Sequence, residues 1–221
     1  MWRTIDANGK LKIVGSTGPT GPTGPTGASS TLTPITAPID ANYSWVNQGG
    51  ASVNVSSGTI YLNGPSTGVT SLRIREMSLP TGNYTLTAGF IPAIISDNFS
   101  SCGLTLRDST TGAIVVFSYG FSTNLNVGLG KFTSPTAFST AYTGAVNLTP
   151  CGQYLWMRIK DDGTNRIASL SMDGINFRTI LSKLRTDFIT PNKCGFYVDP
   201  NQSTGSSDAN MTLVSWAITT P

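Results

Sequence analysis

Between residues 15 and 29 glycine falls at every third position for five consecutive triplets, Gly15-Ser16-Thr17, Gly18-Pro19-Thr20, Gly21-Pro22-Thr23, Gly24-Pro25-Thr26 and Gly27-Ala28-Ser29. No other feature of the chain narrows its folding options so far. A residue that points at the axis of three wound polyproline II strands has room only for a hydrogen, and proline in the next position sets φ in advance. A flexible Pro/Gly linker needs the composition but not the phase. The run therefore reads as a trimerisation stalk carried by Gly15, Gly18, Pro19, Gly21, Pro22, Gly24, Pro25 and Gly27. At ~3.1 Å per residue it would span roughly 45 Å. So short a stalk does not hold three chains together unaided, and its flanks are expected to trimerise too. The chain is read as a homotrimer.

The stalk divides the chain into unequal parts. Residues 1–14 form a short unit in which Ile5, Leu11, Ile13 and Val14 flank Asn8-Gly9, a hairpin-turn signal. A lone hairpin is marginal in water, so this peg is expected to dock on a larger body through Trp2, Ile5, Leu11 and Ile13. Residues 30–41, with Pro34 and Pro38, read as an extended connector. From residue 42 to 221 the chain reads as strands. Ser52–Val55, Thr59–Leu62, Ser71–Arg75, Tyr84–Ala88, Gly103–Arg107, Ala113–Tyr119, Tyr154–Lys160, Arg166–Ser171 and Met211–Ile218 are separated by Gly-, Asn-, Asp- and Pro-rich turns. That pattern indicates an all-β antiparallel sandwich as a single head domain. Ile180–Arg185 is expected to form a turn or a short helical segment, and Ser122–Gly144 a long irregular loop.

Composition excludes several kinds of chemistry. The chain has no histidine, so no Ser-His-Asp or Cys-His nucleophile pair and no histidine zinc site can form. Glu76 is its one glutamate. Lysines and arginines are scattered and the net charge is +3, which is not the footprint of a nucleic-acid binder. No stretch approaches ~18 consecutive apolar residues and no apolar segment follows Met1, so neither membrane nor signal-peptide export is expected. The odd count of cysteines, Cys102, Cys151 and Cys194, excludes a complete intrachain disulfide framework and reads as buried free thiols. Only 11% of residues are charged. Hydroxyls and amides keep the surface soluble instead, and their contacts are not screened by salt as ion pairs are.

The order of the motifs resembles known families. Trp45-Val46-Asn47-Gln48-Gly49 opens the head; Leu155-Trp156-Met157-Arg158-Ile159-Lys160-Asp161-Asp162-Gly163 and Ser171-Met172-Asp173-Gly174-Ile175-Asn176-Phe177 follow. Over roughly residues 42–221 this is similar to the concanavalin A-like lectin/glucanase (LamG-like) jelly rolls, in which the final strand returns beside the first. The small hairpin followed by GPT triplets resembles the attachment regions of phage tail-fibre and head-fibre proteins. Together these resemblances imply a virion surface fibre, made in a host cytoplasm, with residues 1–14 docked on capsid or tail proteins. The short peg and three-chain stalk favour a head fibre or capsid decoration over a tail fibre. The head is then expected to contact host-surface glycans and to need no cofactor.

Two turn-like motifs could instead be ligand loops. Asp161-Asp162-Gly163-Thr164-Asn165 and Asp173-Gly174-Ile175-Asn176 supply oxygen ligands that calcium could use, but Asp/Asn-Gly also gives the positive φ of hairpin turns. The turn reading is favoured, and no metal is expected. Glycoside cleavage needs two facing carboxylates. Asp161 and Asp162 are adjacent, so on a strand they point to opposite faces, and Glu76 stands alone. The head is therefore read as a binder and not an enzyme, with a glycan-degrading depolymerase or a bacterial collagen-like surface protein as alternatives. Most aromatics, among them Trp45, Tyr61, Trp156 and Trp216, lie in strand patterns and read as core. Phe138 and Tyr142, placed in the irregular segment, are the candidates for stacking on a sugar.

Overall fold

The computed structural model describes residues 2–5, 7–8, 11–14, 33–93, 99–142, 146–147, 154–201 and 207–221, and of 2–5, 11–14 and 146–147 the backbone alone. The triplet run, Gly15 to Ser29, and Cys151 lie outside the described residues, as do the side chains of Trp2, Ile5, Leu11 and Ile13. Two units are distinguished, 1–30 and 31–221. In the first, β1 (Trp2–Ile5) pairs antiparallel with β2 (Leu11–Val14), with Trp2 opposite Val14 and Ile5 opposite Leu11.

The second unit is all-β, two antiparallel sheets face to face. Its strands in chain order are β3 (Ser44–Val46), β4 (Ser52–Ser56), β5 (Thr59–Gly64), β6 (Arg73–Ser78), β7 (Tyr84–Ala93), β8 (Ser101–Arg107), β9 (Ile114–Phe121) and β10 (Leu125–Ser134). There follow β11 (Ala137–Ala141), β12 (Val146–Asn147), β13 (Leu155–Asp161), β14 (Asn165–Ser171), β15 (Arg178–Leu184), β16 (Lys193–Asp199) and β17 (Ala209–Thr219). One sheet runs β11-β10-β9-β8-β16-β6-β3, with β12 also on β10; the other runs β15-β14-β13-β7-β17-β5-β4. Alternate side chains of the facing strands fill the space between them. Leu104 and Leu106 of β8, Phe117 of β9, Phe196 of β16, Phe90 of β7 and Leu213 of β17 are at most 1% exposed. Period-2 side-chain direction explains why one face of each strand supplies this core.

Several expectations are corrected. Ile180–Arg185 is not helical: β15 pairs with β14, with Leu181 opposite Ala168. Its pattern of exposed and half-buried residues belongs to an edge strand, which buries little and therefore carries a weak alternation signal. The described part of Ser122–Gly144, up to Tyr142, is not an irregular loop. β10 pairs with β9 from Leu125 to Phe132 and with β11 across bulges at Lys131–Phe132 and Phe132–Ser134. Tyr61 stands 39% exposed on β5 instead of in the core. The last strand, β17, lies between β7 and β5, whereas the first strand of the head, β3, sits in the other sheet beside β6.

Entry into the sandwich is held by side chains as much as by strands. Thr36 N donates to Ser215 Oγ at 2.9 Å and Trp216 N donates to Thr36 O at 2.8 Å, so residue 36 runs against the final strand. The Tyr43 ring then meets Phe196 edge-on at 5.1 Å and Trp216 at 5.6 Å. The buried thiols Cys102 and Cys194 are free, and burial pushes the Cys194 thiol up to about 12, which keeps it protonated and unreactive at neutral pH.

β16 is packed closely in the larger sheet between β6 and β8. A Cβ added at Gly195 would lie 2.2 Å from Arg75 O and 2.9 Å from Glu76 Cα, both backbone atoms. Gly195→Ala is expected to destabilise the head by about 2–3 kcal/mol through overpacking, read as a lowered urea midpoint at unchanged m-value. A loss below ~0.5 kcal/mol, the ordinary range of surface substitutions, would contradict the close approach.

Candidate binding cleft

The larger sheet is apolar on its outer side as well. On β9, Val115, Phe117 and Tyr119 enter the inter-sheet core, while Ile114 and Val116 join Leu72, Ile74, Phe132 and Tyr197 in a second cluster. Above this cluster the strand register builds a floor. Asn126, Gly120, Ser101 and Asp199 lie opposite one another across β10, β9, β8 and β16; the next row is Gly128, Ser118, Gly103 and Tyr197, and the next is Gly130, Val116, Thr105 and Gly195. Because side chains alternate, these rows share the outer face. Glycine and serine dominate them, and the surface is left low in the middle.

The result is a cleft of about 470 Å³ whose lining includes Phe99, Phe121, Phe132, Phe138, Tyr197 and Asp199. Phe132 and Phe138 pack edge to face at 5.3 Å, Phe132 buried and Phe138 56% exposed. Phe138 owes its place to the bulged pairing of β11 with β10, which sets it opposite Phe132. The bare floor is not equally tight everywhere. At Gly120 an added Cβ would strike Ser100 O and Ser101 at 2.6 Å, whereas at Gly128 its nearest neighbour would be Ser118 Oγ at 3.7 Å.

Polar groups on the floor are held in fixed positions. Ser118 Oγ donates to Gly128 O at 3.0 Å, Ser101 Oγ and Tyr197 Oη share a hydrogen bond of 3.1 Å, and Asn201 Nδ2 donates to Thr70 Oγ1 at 2.9 Å. Asp199, 4% exposed, receives Ser71 N at 2.9 Å and Asn201 N at 3.3 Å, both on Oδ1. Among the described residues Oδ2 takes no hydrogen bond, and Asp199 is the only acid in the described lining. Burial pushes its carboxyl up to about 7, against the smaller opposing pull of the two backbone donors and Arg73.

Other sequence candidates fall elsewhere. Tyr142 is half-buried away from this cleft; its hydroxyl donates to Asp187 O at 3.3 Å and Lys131 Nζ sits 4.1 Å from its ring centroid, so it acts in packing. The Asp-Gly motifs serve as turns. Asp162 Oδ1 accepts from Thr164 N and Asn165 N, Asp173 Oδ1 accepts from Ile175 N and Asn176 N, and Gly163 and Gly174 have φ of 96° and 70°. Among the described residues no three His, Cys, Asp or Glu side chains gather as a metal site. Asp199 and the floor glycines were not singled out in the sequence. The signal for them was there, in glycines two apart at 128 and 130, since a single strand face stripped of side chains marks a close approach.

No family model and no curated protein matches the chain. Solved structures do. A legume lectin-like domain from Entamoeba histolytica superposes with TM-score 0.55 at 12% identity, covering 81% of this chain and 90% of that one. The metal-free lectin I-B4 of Griffonia simplicifolia gives 0.51 at 13%, covering 82% and 94%. The GH43 protein BlXynB of Bacillus licheniformis gives 0.61 at 10%, covering 98% of this chain, which spans 45% of that protein's length. At these identities the likeness is one of fold: the second unit is a jelly-roll β-sandwich like theirs.

Ionisation of Asp199 links the cleft to stability. With a folded value of about 7 against an ordinary 3.8, the native state holds a proton that the unfolded chain has released, so stability falls as pH rises across that window. The acids with lowered values, Asp108, Asp162 and Asp173, act only below 3.8. The melting temperature is therefore expected to be lower at pH 8 than at pH 5, with most of the difference removed in Asp199→Asn. A variant that keeps the full slope would contradict this assignment.

Proposed function

We propose that the chain is a trimeric virion surface fibre, a head fibre or capsid decoration before a tail fibre, whose lectin-like heads bind host-surface glycans through the cleft on the larger sheet. The observation that carries the binding part is the combination of a glycine-floored groove with the Phe132–Phe138 wall and a rim of hydroxyls and amides. A sugar ring has apolar C–H faces that pack on an aromatic and equatorial hydroxyls that exchange hydrogen bonds with Ser, Thr and Asn groups. A volume of 470 Å³ lies within the roughly 300–1,000 Å³ of small-molecule sites.

Assembly rests on the glycine triplets of residues 15–29, which need three chains to satisfy their geometry. Three heads on one stalk raise avidity by making the second and third contacts intramolecular. Residues 1–14 are assigned to docking on capsid or tail proteins, with Trp2, Ile5, Leu11 and Ile13 as anchors. Binding without cleavage is favoured because glycoside hydrolysis uses two carboxylates roughly 5–9.5 Å apart, and the described lining of the cleft offers Asp199 alone.

The native mass of the full chain is expected to be three times 23.2 kDa, and the trimer is expected to retain oligosaccharides on a glycan array without trimming them. A monomer in native mass spectrometry would remove the fibre reading. Shortened products recovered from the array would replace binding with hydrolysis.

A further inference from the structure

We propose that the cleft is selective for uncharged saccharides, with Asp199 acting both as the acceptor for sugar hydroxyls and as the group that turns away uronic and sialic acids. This inference rests on the glycan-binding reading and deepens it. Three observations converge on it.

The first is the charge inventory. Asp199 is the only ionisable acid, and no lysine or arginine appears, in the described lining. Arg107, on the same face of the sheet, is already committed to Glu76, with Nε–Oε2 at 2.8 Å and Nη2–Oε1 at 2.5 Å. A sugar carboxylate entering the cleft would thus meet a buried acid and, among the described lining residues, no cation. A buried anion is tolerated only when paired, and sites that select carboxylates do so with arginine forks or lysines.

The second is the direction of Asp199. It stands two residues after Tyr197 on β16 and across from Ser101 on β8, on the outer face with the floor glycines. Two backbone donors fix Oδ1, so the carboxyl plane is set before any ligand arrives, and Oδ2 remains for a hydroxyl donor. An acceptor held this way selects neutral hydroxyl donors by hydrogen bond and excludes anions by repulsion, the two halves of specificity.

The third is shape. At Gly128 a Cβ meets only ordinary contact, so the sheet itself does not demand glycine there. What a larger side chain at 128 would occupy is the cleft. That makes Gly128→Val a variant that fills the site from its floor with the strand pairing kept.

The test uses the full-length trimer at pH 8 and a panel in which each neutral oligosaccharide is paired with its charged counterpart, such as galactotriose with trigalacturonate and lactose with sialyllactose. Affinities are read by calorimetry and by array. The expected result is binding to at least one neutral member with its charged partner at least tenfold weaker. Asp199→Asn should weaken the neutral ligand at least fivefold and narrow the gap to the charged one, and Gly128→Val should lose both at unchanged melting temperature. Equal or tighter binding of the charged partner would overturn the proposal and leave glycan binding intact. Undiminished binding by Gly128→Val would overturn it by placing the site elsewhere. Should Gly128→Val melt early, Phe138→Ala, at an exposed ring, takes its place with the same expected loss. No binding to any saccharide would overturn the functional reading and this inference with it.

Discussion

The larger sheet carries an apolar cluster on each side, and the shape of the head's outer face follows from that. Strands β8, β9, β10 and β16 drive Leu104, Leu106, Phe117, Val127 and Phe196 into the inter-sheet core. The opposite face is then free to be small. Gly103 and Gly195 sit where a Cβ would collide with backbone of the neighbouring strands, 2.1 Å from Phe117 O and 2.2 Å from Arg75 O. Close backbone approach in the sheet and a low outer surface are therefore one constraint seen from two sides, and the groove is its by-product.

A chain with 11% charged residues uses its few buried charges as fasteners for irregular segments. Arg73 Nη1 donates to Asn47 O at 3.0 Å and lies against Gly49, whose φ is 51° and where a Cβ would stand 2.4 Å from that nitrogen. Arg75 packs its guanidinium over Trp45 at 5.0 Å and pairs with Asp40. Arg166 Nη2 gathers the carbonyls of Arg185, Asp187 and Ile189. Each guanidinium offers several donors in a fixed fork, so one side chain can bind several carbonyls of an irregular segment at once. Burial pushes the Arg166 value down, yet guanidinium stays charged far above neutral pH.

Legibility in the sequence followed burial on one face only. Tyr84–Ala88 and Leu155–Lys160 alternate, one face in the core, and were readable as strands. Ile114-Val115-Val116-Phe117 does not alternate, because both its faces are covered. That run carried the information that a second apolar surface exists, and it was read only as another strand. β15 exposes most of its side chains and looked helical for want of a buried face. Of the site, Phe138 was legible as an exposed aromatic in a polar stretch. Asp199 was not, since only the pairing of β16 with β8 brings it onto the floor beside Ser101. Tyr142, similar in local sequence, was turned inward by the bond to Asp187 O.

The proposed binding places a saccharide on the outer face of the larger sheet and not at the turns of the sandwich ends. Backbone amide shifts followed by NMR on the isotope-labelled protein, during titration with a saccharide it retains, test it most directly. The account requires the largest changes at Ser101, Ser118, Gly128, Gly130 and Asp199, with little at Gly163 and Gly174. Changes concentrated in those two Asp-Gly turns, with a silent glycine floor, would contradict it.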